Sequence, residues 1–130
     1  MWIYTRGGFV SVRASAFDQG SVVLRFRTLR HADSFAHRCG IDTIVTSDDS
    51  DYRYRFEVSR RTLADVLAKE VDGIDYPNFK ASVEEADDEN YVTALHRTWS
   101  IHHAMQKMRS EEHTSELQSH SDLVCRLLLE

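Results

Sequence analysis

Hydrophobic and polar positions alternate along the first part of the chain. From Phe9 to Ala14, Val10, Val12 and Ala14 fall on one side, with Phe9, Ser11 and Arg13 on the other. From Val22 to Thr28 the pattern repeats, with Val22, Leu24 and Phe26 set against Val23, Arg25 and Arg27. Period two is the mark of a strand with one buried face. Asp18-Gln19-Gly20 between the two segments is turn chemistry, so they are expected to pair as a hairpin. Trp2 to Thr5 is a short aromatic and β-branched segment that Gly7-Gly8 interrupts.

The period then changes. Leu29, Ala32, Phe35 and Ala36 recur at helical spacing over 29–39, and Gly40 suits a C-terminal cap. A third strand is expected over 41–46, closed by the polar run Ser47 to Asp51. The fourth covers 52–58, with Tyr52, Tyr54, Phe56 and Val58 against Arg53, Arg55 and Glu57. Ser59 can cap a helix whose stripe is Leu63, Val66, Leu67, Val71 and Ile74. Asp75-Tyr76-Pro77-Asn78 restarts a short helix through Val83, with Pro77 in its first turn. The acidic run Glu84 to Glu89 reads as a solvated connection. Asn90 can then cap a last helix to about Met108, with Val92, Leu95, Trp99, Ile101, Met105 and Met108 on its apolar side.

The order β-β-α-β-β-α-α predicts an α+β fold. A four-stranded, mostly antiparallel sheet would carry its helices on one face. Residues 1–108 are expected to form one domain, with no internal boundary.

Residues 109–130 stand apart. From Arg109 to His120, and again from Leu123 to Glu130, the chain resembles a translated sequencing-library adapter, in one frame, with a variable index between. Such a segment belongs outside the fold reasoning, like a fusion scar. The resemblance implies a native sequence ending near Met108 and a tail with few contacts to what precedes it. Leu127, Leu128 and Leu129 then carry no partner motif.

Four blocks stand out in residues 1–108: Met1-Trp2-Ile3-Tyr4-Thr5 with Gly8-Phe9, Asp51-Tyr52-Arg53-Tyr54-Arg55, Ile74-Asp75-Tyr76-Pro77-Asn78-Phe79-Lys80, and Leu95-His96-Arg97-Thr98-Trp99-Ser100. In these blocks the chain resembles a family of small, uncharacterised bacterial and phage-borne proteins. The resemblance implies a complete, stand-alone cytosolic domain and brings no activity with it.

Charge changes little once the tail is set aside. The whole chain carries −5, but two arginines and five acids lie in 109–130, so residues 1–108 carry −2. Cys39 is the one cysteine of that segment, and a lone thiol fits a reducing compartment. No apolar run reaches the ~20 residues that span a bilayer, and no secretory signal opens the chain. A cytoplasmic protein without a membrane partner is the expectation.

The sharpest chemical feature is a face of arginines. Strand alternation places Arg25 and Arg27 on one side, Arg53 and Arg55 on one side, and Arg13 with them if register holds. An antiparallel sheet can leave that face in water. Guanidinium groups there suit phosphates or carboxylates, and Phe9 could add a stacking platform for nucleic acid. The bland alternative is cross-pairing with Glu57, Asp48, Asp49 and Asp51.

Secondary candidates are weaker. Asp75, Asn78 and Lys80 could hold a ligand at a helix start, although capping and packing explain the same block. His96 and His103 share a helix face, but their spacing is not that of zinc hydrolases. No metal site, cofactor or glycine-rich phosphate loop is expected. His31 and His37 read as surface residues, Cys39 as a small buried hydrophobe, and Trp2, Tyr4, Tyr91 and Trp99 as core or interface aromatics.

The leading expectation is a non-enzymatic binding or adaptor module for an anionic protein surface or nucleic acid. One alternative is a small enzyme with a pocket between sheet and last helix, using His96 or His103 with Asp75 or Tyr76. Another is a homodimer formed through the sheet edge.

Overall fold

A computed structural model describes residues 1–114. The chain divides into two compact units, Met1–Phe79 and Lys80 onward. The first unit holds β1 (Trp2–Thr5), β2 (Gly8–Ala14), β3 (Ser21–Phe26), α1 (Leu29–Cys39), β4 (Val45–Thr46), β5 (Tyr54–Ser59) and α2 (Arg60–Asp72). A short helix, α3 (Phe79–Glu84), begins at the division, and α4 (Glu89–Thr114) lies in the second unit.

The fold is α+β with an antiparallel sheet, but the sheet has five strands in the order β1-β2-β3-β5-β4. The additional strand is Trp2–Thr5, which pairs with β2 from Trp2↔Ser11 to Thr5↔Gly8. Arg6 and Gly7 form the hairpin loop, so the Gly7-Gly8 break is a reversal of direction. The strand expected over 41–46 shrinks to Val45–Thr46, and the last long strand starts at Tyr54 rather than Tyr52.

Alternation decides the core. Val10, Val12, Val22, Leu24, Phe26, Phe56 and Val58 form the inner face and cluster with Ala32, Phe35 and Ala36 of α1 and Leu63 of α2. Phe26 stacks on Phe56 at 5.4 Å and tilts against Phe35 at 5.5 Å. These large rings fill much of the space between the sheet and α1.

Helix ends follow local chemistry. Thr28 caps α1 through His31 N–H, and Gly40, at φ 71°, ends it in the left-handed region. Ser59 Oγ accepts from Thr62 N–H at the start of α2. Replacing Ser59 by Ala removes that acceptor and is expected to cost about 1 kcal/mol in urea unfolding. An unchanged midpoint would show that Thr62 N–H finds water at no loss.

Several expected details shift. The α2 stripe is buried at Leu63 and Val66 and partly at Leu67, while Val71 and Ile74 are exposed. Pro77 lies before α3 rather than in its first turn. Asp88, not Asn90, caps α4: its carboxylate accepts from Tyr91 N–H at 3.3 Å and its carbonyl from Val92 N–H at 3.1 Å. On α4, Tyr91 and Leu95 are buried, whereas Trp99, Ile101 and Met105 are exposed. The backbone of α4 continues past Met108 to Thr114, and residues 115–130, with most of the expected independent tail, lie outside the described residues.

Among the described residues, no helix is long and apolar enough to cross a membrane.

Candidate functional site: an arginine and aromatic sheet face

Strand register builds the outer face of the sheet row by row. One row runs Trp2, Ser11, Arg25, Arg55 and Val45 across all five strands. Tyr4 and Phe9 pair in the row on one side of it. Arg27 follows Phe26, the last residue of β3, and Arg53 precedes Tyr54, the first of β5, so alternation turns them the same way. On the other side Arg13, Val23 and Glu57 form a third row. All five arginines of the sequence pattern therefore belong to one face.

Tyr52 organises that face. The chain bends before β5, so Tyr52 leaves the alternation that would have sent it inward. Its ring lies under two guanidinium groups, Arg25 at 4.6 Å and Arg27 at 4.3 Å, and it is only 9% exposed. Each such stack contributes roughly 0.5–2 kcal/mol, depending on how far it is desolvated. Arg55 Nη2 donates to Tyr52 O at 3.3 Å, and Arg25 Nη2 donates to Ser11 Oγ at 2.7 Å. Ser11 is buried, which explains a small hydroxyl in the middle of a strand.

Carboxylates account for little of this. Arg53 pairs with Asp48 at 2.9 Å, and that bond raises the guanidinium further above its ordinary range. Arg27 instead donates to the backbone carbonyl of Asp51 at 3.0 Å, and Arg13 to that of Ala14 at 3.0 Å. Among the described residues Arg13, Arg25, Arg27 and Arg55 make no ion pair, and neither does Glu57. Arg25 stands directly opposite Arg55. Like charges in that position repel, by roughly 0.2–1 kcal/mol. The Nε atoms of both arginines are also buried without a hydrogen-bond partner. Cross-pairing with nearby acids thus explains Arg53 alone.

Beside the arginines lies an aromatic patch. Trp2 meets Phe9 edge-on at 5.9 Å, and Tyr4 tilts against Phe9 at 4.8 Å. Trp2 is 67% exposed, so it is a surface ring rather than core. Guanidinium groups and an exposed aromatic ring on one sheet face can hold phosphates and stack planar groups together. Sequence alternation found the five arginines and Phe9. It missed Tyr52, placed on the wrong face by a strand start set two residues early, and Ser11, which is buried and accepts from Arg25.

The secondary candidates have other engagements. Asp75 pairs with Arg6 at 2.9 Å, where a helix cap was expected. Arg6 also lies 5.4 Å above the Tyr76 ring, which packs on Phe79. His96 Nε2 lies 2.8 Å from Glu84 Oε1. Trp99 lies 4.3 Å from Lys80 Nζ and stacks on the parallel ring of His103 at 5.0 Å. Asn78 precedes α3. A cleft of about 420 Å³ between α1 and α2 is lined by His37, Arg38, Val66, Lys69, Glu70 and Gly73, and by none of these candidates.

Two residues read as minor take different places. His31, expected at the surface, is buried, and its Nδ1 accepts from Phe9 N–H at 3.3 Å. Phe9 faces the point where β3 has ended, so the ring supplies an acceptor that the sheet does not. Cys39 is half-buried against the core, and burial pushes its thiol up despite the opposing charge of Arg38. Among the described residues, no group of three His, Cys, Asp or Glu is placed to hold a metal ion.

Compared with protein-family models, curated proteins and solved structures, the chain matches none.

Proposed function

We propose that this protein is a non-enzymatic binding module of the cytosol that takes single-stranded nucleic acid on its outer sheet face. Residues 109–130 have no part in that role. The observation that carries the reading is the Arg25–Tyr52–Arg27 stack, flanked by Arg55 and Arg13, without carboxylate partners and beside exposed Trp2. Retaining like charges opposite each other has a cost, and a polyanion in that position would offset it.

An acidic protein surface would satisfy the guanidinium groups equally well. The aromatic patch favours a nucleic acid, because bases offer ring faces to Trp2 and Phe9 and acidic side chains do not. A duplex keeps its bases stacked inside and leaves that patch unused.

Titration of a labelled oligothymidine and of a duplex against the full chain tests this. Single strands are expected to bind at least 10-fold tighter, with affinity falling steeply as salt rises. Absence of single-strand binding at low salt would remove the nucleic-acid reading and leave an acidic protein as the partner of the same face.

A further inference from the structure

The outer edge of β1 has a hydrogen-bonding pattern that fits a second copy of itself. Met1 and Val12 exchange both backbone bonds, N–H to O at 2.8 Å in each direction. Antiparallel pairs alternate, so Ile3 and Thr5 also bond inward to β2. The backbone groups of Trp2 and Tyr4 then point away from the sheet. β1 is an edge strand with β2 as its sole neighbour in the sheet.

The residues of the strand itself do not oppose pairing. Trp2-Ile3-Tyr4-Thr5 has no charge, no proline and no bulge, the devices that usually blunt an edge. The opposite edge, β4, is two residues long and runs into a polar turn. Trp2 and Tyr4 are also symmetric about Ile3. An antiparallel partner centred there would bond Trp2 of each copy to Tyr4 of the other, forming four backbone hydrogen bonds. Ile3 would face Ile3 of the second copy as a non-bonded pair on the inner side.

We infer that the protein forms a weak two-fold dimer through β1, joining two five-stranded sheets into one. The two aromatic patches then meet at the centre, with an arginine cluster on either side. A foreign extended peptide on the same edge would instead leave the protein monomeric at every concentration. The dimer stands without the nucleic-acid reading, since its bonds are backbone bonds.

Sedimentation of the full chain from about 1 µM to about 1 mM, a range that covers weak affinities, is the first test. Mass should rise from 15.0 kDa to twice that value. Tyr4→Pro removes an outward N–H and should hold the mass at 15.0 kDa at all concentrations. Should Tyr4→Pro fail to fold, a second variant decides. Ile3→Cys, in a chain with Cys39 and Cys125 changed to Ser, should form an oxidised dimer, because facing non-bonded residues lie about 4.5 Å apart at Cα. Cysteine at Phe17, which is 97% exposed in a loop, should not do so under the same conditions. A constant monomer mass, a dimer that survives Tyr4→Pro, or equal cross-linking at positions 3 and 17 would each overturn the inference.

Discussion

Gly8→Ala is expected to leave the protein largely unfolded in mild denaturant. Gly8 sits at φ 137°, a conformation that residues with a Cβ rarely adopt. An added Cβ would also lie 2.4–2.7 Å from Cβ, Cγ and Cδ2 of His31. The ring cannot simply move aside, because it is buried and accepts the Phe9 N–H. Backbone strain costs about 1–3 kcal/mol, and overpacking costs about as much again. A small domain has only about 5–15 kcal/mol of stability to lose. Urea unfolding should show a loss of about 3 kcal/mol or more, with the slope of the transition preserved.

The two causes separate in a double-mutant cycle with His31→Ala. Removing the ring relieves the contacts with Cγ and Cδ2, while the contact with Cβ and the φ angle remain. Coupling between the two substitutions should be about 1–3 kcal/mol, the range for residues in contact. No coupling would mean that α1 yields freely at this point, and that the hairpin is not held by His31.

Reversing Arg13 and Arg27 together to Glu is the second large effect. Both side chains are exposed, and their only hydrogen bonds are to backbone carbonyls. The variant should therefore fold. Arg25 is a poorer choice: both it and Arg27 stack on Tyr52, but Arg25 is also partly buried and holds Ser11. Affinity for a single strand at low salt should fall by about 100-fold, as two phosphate contacts turn into repulsions. The slope of log affinity against log salt should shrink by about 1.4, from two lost single-strand phosphate contacts. Trp2→Ala should act differently, weakening binding by about 10-fold with little change in salt slope, because stacking is not ionic. Full binding by the double reversal would exclude this face as the site.

Much of the site was legible because it depends on period two. Arg25, Arg27, Arg53 and Arg55 share a face with Arg13 wherever the strands keep register, and they do. Helices α1 and α2 were equally plain, since Ser59 and Gly40 mark their ends in local chemistry. Where Asp75 was concerned, local rules misled. Capping rules offered Asp75 a helix start, but Arg6, 69 positions away in the chain, claims its carboxylate.

Residue order by itself therefore determined the α+β class, the two long helices of the first unit and the sidedness of the arginines. These follow from propensity and periodicity within a dozen residues. Tertiary structure alone decided that Trp2–Thr5 is a strand, because a four-residue segment gains its bonds only by pairing with β2. It also decided that β5 lies between β3 and β4, that His31 turns inward behind Gly8, and that Tyr52 supports Arg25 and Arg27. Each of these is a contact between residues distant in the chain, and local pattern carries no information about which distant partner will satisfy a ring, a charge or a backbone N–H.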